Sequence, residues 1–343
     1  MPAGVLTTRE LNRALLARQL LLERGRMSIP KALERIGGIQ AQYAPSMYVG
    51  LWSRLDGFER DALTRALERR SVIQATLMRS TIHLVSKADY WPLTAAVRAA
   101  RTAWWERVHK TAEPREMRAA ANELRRFLAA GPRRRKEIEA HLGREHALGI
   151  YAYVDLVRVP PSGTWEQRRA DLYGLAEAWI GPDDAEAGTG LELMARRYLS
   201  GFGPAAVIDV ADFAGVPISQ VRSVLECMKL RRFRDERGNE LVDVPRAPLP
   251  AAETHAAPRF LPVWDATLLV HARRTQILPE DLRPLVFNTK TLHSVNTFLV
   301  DGQVAGTWKY EGGKVKLEAF DGVPRKAKRE LDDEAKRLAS FHT

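Results

Sequence analysis

Hydrophobic and polar positions along the chain recur as a unit of helix, turn, helix and extended pair. The unit is cleanest in the middle. MRAAANELRRFLAAG (117–131) has a helical period and stops at Gly131-Pro132, where glycine suits a helix C-terminus and proline blocks continuation. RRRKEIEAHLG (133–143) sets Ile138 and Leu142 on one face of a short second helix. GIYAYVDLVRVPPSGTW (149–165) then alternates, is rich in β-branched and aromatic residues, and ends in a turn, the pattern of an extended pair.

The pattern returns downstream. LELMARRYLSGFG (191–203) predicts a helix ending at Gly203-Pro204, VIDVADFAGVP (207–217) a short one, and SQVRSVLECM (219–228) a third with Ser219 as its N-cap. LRRFRDERGNELVDV (230–244) reads as a hairpin turning at Arg237-Gly238-Asn239. A looser copy precedes both: helices in 8–25, 28–40 and 61–70, then an extended pair in 75–86. From Arg259 the texture changes to short β runs with turns at Asp301-Gly302 and Glu311-Gly312-Gly313, closed by a helix that opens with Pro324.

Helix, helix, helix and hairpin is the winged-helix order. The fold expected is α+β: three tandem winged-helix units at 1–110, 111–180 and 190–245, then a C-terminal antiparallel β region with a closing helix at 258–343. The linkers expected are 181–190 and 245–258, both poor in large apolar residues. Such units also serve as plain structural or protein-contact modules.

Composition narrows the partners. Of 343 residues, 53 are Lys or Arg and 42 are Asp or Glu, a net charge of +11. That surplus favours a polyanion, nucleic acid ahead of an anionic membrane. Hydrophobic residues make up 45%, enough for a sizeable core. The single cysteine, Cys227, rules out an intrachain disulfide and a paired-cysteine zinc site, and its apolar neighbours Val224, Leu225 and Met228 suggest a core position. No hydrophobic signal core and no run approaching a membrane span is present, so a cytoplasmic or nucleoid location is expected.

Candidate chemistry is sparse. There is no phosphate-binding glycine loop, no His-Glu-x-x-His helix and no Gly-x-Ser-x-Gly elbow, and the eight histidines are scattered. No cofactor is implied. In LERIGGIQAQYAPSMYVGLWSRL, Gln40 and Gln42 flank Ala41 after Gly37-Gly38. Residues two apart in an extended segment point the same way, so both amides can face one cleft. A pair of surface glutamines gives the same pattern. Tyr48 and Trp52 follow at helical spacing and are expected to pack beneath. Arg133, Arg134, Arg135 and Lys136 open a short helix and can grip phosphates or be a solvated charge run. His83, between Ile82 and Leu84, reads as a core or cleft residue, and Trp91, Trp104 and Trp105 as packing.

Six stretches add a resemblance. GGIQAQYAPSMYVGLWSRL, RSTIHLVSKADY, VPPSGTW, ARRYLSGFGPA, RFLPVWDATLL and DGQVAGTW resemble, in the same order, segments of the AlkZ-type winged-helix DNA glycosylases, across about residues 8–325. The resemblance implies three winged-helix units curved around double-stranded DNA carrying alkylated bases. It implies catalysis by a Gln-apolar-Gln motif, matched by Gln40, Ala41 and Gln42; the AlkX branch has Asp at the second glutamine. A DNA-reaching hairpin is also implied. Its candidate here is the late hairpin with Lys309, Lys314 and Lys316, grouped with Lys290 and His293.

The amides fit that chemistry. Alkylation at N7 of guanine or N3 of adenine makes the base cationic and a good leaving group. A glutamine carbonyl can orient the attacking water, but its amide is no general base. A monofunctional glycosylase for cationic N-alkylpurines is therefore expected, acting as a monomer without cofactor, with bulky adducts and interstrand crosslinks in range. The alternative is a non-enzymatic winged-helix regulator; a protein scaffold conflicts with the charge.

Overall fold

The computed structural model describes residues 4–109, 113–288 and 293–343. Strand β1 (Gly4–Leu6) leads into helix α1 (Thr8–Arg18). Thr7 starts that helix: its hydroxyl accepts from the Glu10 amide, and the Glu10 carboxylate accepts from the Thr7 amide at 2.8 Å. Then come α2 (Ile29–Ile36), β2 (Ile39–Gln40), α3 (Ala44–Arg54), α4 (Arg60–Glu68), β3 (Val72–Thr76), β4 (Ile82–Ser86) and the long α5 (Lys87–Val108). The helical spacing of Tyr48 and Trp52 is realised in α3, with both side chains buried. Helix α5 was not anticipated; its apolar residues lie on more than one face because it is packed on several sides.

The middle of the chain forms α6 (Pro114–Ala129), β5 (Arg133–Arg134), α7 (Arg135–Leu142), α8 (Arg144–Gly149), β6 (Leu156–Arg158), β7 (Leu172–Leu175) and α9 (Ala176–Ile180). Here the expected extended pair at 149–165 is corrected. Residues 150–152 are still helical, and the return strand is β7, beyond a loop. Next come α10 (Ala187–Phe202), α11 (Val207–Ala214), α12 (Ile218–Cys227), β8 (Arg231–Asp235) and β9 (Glu240–Asp243), the order expected for 190–245. Ser219 is not the cap: α12 begins at Ile218 behind Pro217. Cys227 is exposed at its C-terminus, because Val221 and Leu225 supply the buried face. The linker at 181–190 is shorter than expected, since α10 takes up its last four residues.

The C-terminal region contains β10 (Arg259–Leu261), α13 (Arg283–Val286), β11 (Phe287–Asn288), β12 (His293–Ser294), β13 (Thr297–Val300), β14 (Gln303–Glu311), β15 (Lys314–Ala319) and α14 (Arg325–His342). Strands β10-β13-β14-β15 form an antiparallel sheet. Positive φ at Asp301 and Gly302, and at Gly312 and Gly313, makes its two tight turns.

Two hairpins do not stand apart. Strands of the first and middle segments join in one six-stranded sheet, β2-β4-β3-β6-β7-β5, in which β3 pairs with β6 (Gln74 with Arg158, Ala75 with Val157). The third hairpin pairs instead with β1. Helices α5 and α10 cross closely at Gly190, where an added Cβ would lie 2.2 Å from the Pro92 carbonyl oxygen. Buried ion pairs tie distant segments together: Arg18 with Asp243 at 2.6 Å and Arg54 with both oxygens of Asp265 at 2.9 and 3.0 Å. No helix among the described residues is long and apolar enough to cross a membrane.

Candidate active site

The Gln-Ala-Gln segment follows two left-handed glycines, Gly37 and Gly38 (φ 80 and 82). A Cβ on Gly38 would press to 3.1 Å from the Leu84 carbonyl oxygen, so the glycine lets β2 lie against β4. In the ladder Gln40 faces His83. The Ala41 amide donates to the Ile82 carbonyl at 2.7 Å, and the buried Gln74 side chain donates to the Ala41 carbonyl at 3.1 Å. Ala41 is fully buried, which accounts for its small size.

Strand β2 ends at Gln40, so strand alternation does not carry Gln42; the chain bends and the two amides meet. Gln40 Nε2 donates to Gln42 Oε1. Gln40 Oε1 accepts from Arg79 Nη2 at 3.1 Å. Arginine only donates, so it fixes which end of the Gln40 amide faces it. The Gln40 NH₂ must then face Gln42, and Gln42 must present its oxygen in return. The relay leaves the exposed Gln42 with an NH₂ and a second carbonyl lone pair open to solvent.

Arg79 is held hard. Both Arg79 and Ser80 have left-handed backbones (φ 52 and 56), costly for non-glycine residues. Gly215, at the end of α11, packs on this turn: a Cβ there would lie 3.1 Å from the Arg79 nitrogen. Arg79 Nη1 also donates to the Phe213 carbonyl at 2.6 Å, and the guanidinium lies 5.5 Å from the Phe213 ring. Burial pushes its pKa down to about 10, which leaves it charged at neutral pH.

The two amides line neighbouring cavities that share Thr81. Gln42 lines one of about 250 Å³, between the six-stranded sheet and α7–α8, together with Thr81, Arg135, Tyr151, Arg158 and Tyr173. Gln40 lines another of about 460 Å³ with Arg79, Asp212, Trp264, Val270 and His271. Trp264 has a positive φ of 63, and its amide donates to Ser294 Oγ at 2.8 Å. Val270 is 63% exposed there.

His83 is buried, and its Nδ1–H donates to the Thr81 carbonyl at 3.0 Å, leaving Nε2 unprotonated. Burial first, then the charge of Arg79, pushes its pKa down to about 3. It is a neutral core residue behind the ladder, and His271 is held neutral in the same way. Trp91 and Trp105 are buried, while Trp104 is 39% exposed.

The basic candidates are dispersed. Arg133 lies over the Phe127 ring at 5.1 Å, Arg134 pairs with Asp171 at 3.0 Å and Arg135 with Glu139 at 2.6 Å. Lys136 is exposed. Only Arg135 of the four reaches the Gln42 cavity. Lys309 and Lys314 are exposed on β14 and β15, and Lys316 pairs with Glu311. His293 belongs to a separate ladder, β11–β12, so the expected grouping splits between two sheets. Lys290 lies outside the described residues. Arg79, Arg158, Asp212, Trp264 and His271 were not foreseen at the site. Arg79 stands in the stretch RSTIHLVSKADY and Trp264 in RFLPVWDATLL, but neither spacing reveals a role.

Among curated protein sequences none matches. A solved structure, the Streptomyces sahachiroi DNA glycosylase AlkZ, superposes with a TM-score of 0.83 at 19% identity, covering 98% of this chain and 97% of that one. At that identity the likeness speaks for the fold. The sequence profile described as DNA glycosylase AlkZ-like matches residues 33–341 and so includes the glutamine pair, the Arg79 turn and both cavities. The chain belongs to the AlkZ-like DNA glycosylase family.

Proposed function

We propose that Gln40 and Gln42 hold the water that attacks the anomeric carbon of a nucleotide bearing a cationic N-alkylated purine. The observation that carries this reading is the relay from Arg79 through Gln40 to Gln42. It points one amide oxygen at a fixed place without any ionised carboxylate on the glutamine pair. An amide oxygen accepts a hydrogen bond from water and favours nearby positive charge. As the glycosidic bond breaks, the charge leaves the base and develops on the sugar. Pre-oriented carbonyl dipoles favour that shift. Proton abstraction by the amides is weak, so the reaction is confined to bases that leave unaided.

N7-alkylguanine is the substrate class. The cavity beside Gln40, about 460 Å³ with Trp264, Leu269 and Val270 in its wall, supports bulky adducts and crosslinked bases over methyl groups alone. The helix-helix-helix-hairpin order supports three tandem winged-helix units laid along duplex DNA. Arg133, Arg134, Lys136, Lys309, Lys314 and His293 are then outlying phosphate contacts, and the protein acts as a monomer. Purified protein incubated with duplexes carrying 7-methylguanine or a bulky N7 adduct should release the modified base and leave abasic sites. Intact duplexes of both kinds after long incubation would overturn the substrate assignment.

A further inference from the structure

Among the described residues six arginines are buried, and four of them pair with a carboxylate. Arg13, Arg18, Arg54 and Arg101 pair with Asp301, Asp243, Asp265 and Asp155. Arg259 pairs with no carboxylate: it donates to the Pro258 and Leu22 carbonyls, and burial and then the nearby Arg24 push its pKa down to about 10. Arg158 also pairs with no carboxylate among the described residues, and its Nε, like those of Arg54, Arg101 and Arg259, has no hydrogen-bond partner; it alone of the six lines the Gln42 cavity. Its Nη1 donates to Thr76 Oγ1 at 2.8 Å, and its plane lies 5.1 Å from the Tyr173 ring. Burial depresses its pKa. An unpaired buried cation is costly to fold around.

Arg158 sits on β6 at the wall of the Gln42 cavity, and Arg135, paired with Glu139, lines the same space. Ser80 and Thr81 border it too, the Thr81 hydroxyl donating to the Met78 carbonyl at 3.1 Å. The volume, about 250 Å³, is larger than the guanidinium needs. Its wall is mixed: Ile82, Ile138, Leu148, Ile150 and Leu156 line it beside the polar groups, and Arg158 brings a positive charge without a paired carboxylate. A cationic purine is better placed in the Gln40 cavity, where Asp212 stands beside the charge of Arg79. A phosphodiester fits the Gln42 cavity, because an arginine fork matches tetrahedral oxygens.

We propose that this cavity is an anion subsite that takes a phosphodiester of the lesion strand flanking the nucleotide under attack, with Arg158 as its principal ligand. The placement beside the reacting nucleotide rests on the reading of Gln42 given above. The subsite anchors the backbone next to the sugar and keeps the cationic base on the far side of the glutamine pair.

The test reads binding. Arg158→Met keeps the length and removes the charge. Its thermal midpoint should equal or exceed that of the wild type, because an uncompensated charge is gone. Its affinity for a lesion duplex at about 0.15 M salt should fall about tenfold, and Arg158→Lys should recover part. Duplexes with one neutral methylphosphonate at each phosphate near the lesion give the second arm. The wild type should lose about tenfold at one flanking position, and Arg158→Met should lose nothing further there.

Losses that multiply independently at every position would overturn the proposal, as would unchanged binding by Arg158→Met. Added inorganic phosphate separates the sources: if it stabilises the wild type but not Arg158→Met while every methylphosphonate is uncoupled, the occupant is free anion and the DNA assignment fails. Both arms read affinity, so a failure of the glutamine chemistry, seen as unchanged base release by Gln42→Ala, leaves this test standing.

Discussion

Alanine substitution of the two glutamines should separate a purely kinetic role from one that is also structural. Gln42 is exposed, and its hydrogen bond runs to Gln40. Gln42→Ala should cost little stability, about 0.5–1 kcal/mol, because water in the adjoining cavity can take over as acceptor for the Gln40 NH₂. Base release should fall about 10²-fold, which is about 2.7 kcal/mol of transition-state stabilisation. Gln40 is only 6% exposed and accepts from the Arg79 guanidinium. Gln40→Ala should lose a similar rate factor and also leave that donor without its acceptor, at about 1–3 kcal/mol. Its melting temperature should drop by a few degrees where that of Gln42→Ala does not. The double variant should lose less than the product of the two rate factors, since the amides act as one unit. Gln42→Asp installs a carboxylate, as in the AlkX branch, and activity should survive or broaden. Single-turnover release of 7-methylguanine together with thermal melts decides these points. If both folded alanine variants keep the wild-type rate, the glutamines do not hold the water. If Gln40→Ala melts like Gln42→Ala, the Arg79 contact carries no weight.

Uracil and 8-oxoguanine duplexes should stay intact, because nothing on the glutamine pair protonates a leaving base; robust release of either by purified protein contradicts the mechanism. Affinity for duplex DNA should fall steeply with salt, and Arg133→Glu should flatten the log–log slope by about one phosphate contact, near 0.9; a salt-independent binding constant would speak against a phosphate-contacting surface. Stability should decline on acidification below about pH 6.5, where imidazoles in the unfolded chain begin to take up protons. His83 and His271 stay neutral in the fold, His83 down to about pH 3. The unfolded state therefore binds more protons in that window, at about 1.4 kcal/mol per pH unit for each imidazole. Asp209, raised to about 6 by burial, works the other way and offsets part of the loss as pH falls below 6. A melting temperature at pH 5 no lower than at pH 7 would contradict the neutral buried imidazoles.

Much of the architecture was legible because local chemistry agreed with global packing. The stop at Gly203, the turn at Gly238 and the Asp301-Gly302 corner are backbone rules that no tertiary contact overrides. Helix α5 was invisible because a helix buried on several sides loses its one-face period. The return strand β7 was missed because it lies beyond an irregular loop, past the run that looked like the second half of a pair. At the site the Gln40–Gln42 pairing was readable only through a family likeness. Their hydrogen bond comes from a bend after β2 rather than from strand alternation. Arg79 and Arg158 could not be told from other arginines in an Arg-rich chain. What sets them apart is where the fold puts them, Arg79 on Gln40 and Arg158 in the wall of the Gln42 cavity, both properties of the folded state.

The β3–β6 ladder bears on how selectivity arises. Backbone hydrogen bonds across Gln74–Arg158 and Ala75–Val157 set the spacing between the glutamine motif and the Arg158 cavity. The two strands are joined directly by that ladder. If the two sites act as proposed, the nucleic acid is expected to change shape to reach both. A duplex must bend, unwind or unstack to bring a backbone and an anomeric carbon to two points whose separation is already set, and that deformation costs energy that depends on the local sequence and damage. Lesions that weaken stacking lower the cost before any group of the enzyme touches the base, so discrimination begins in the mechanics of the DNA.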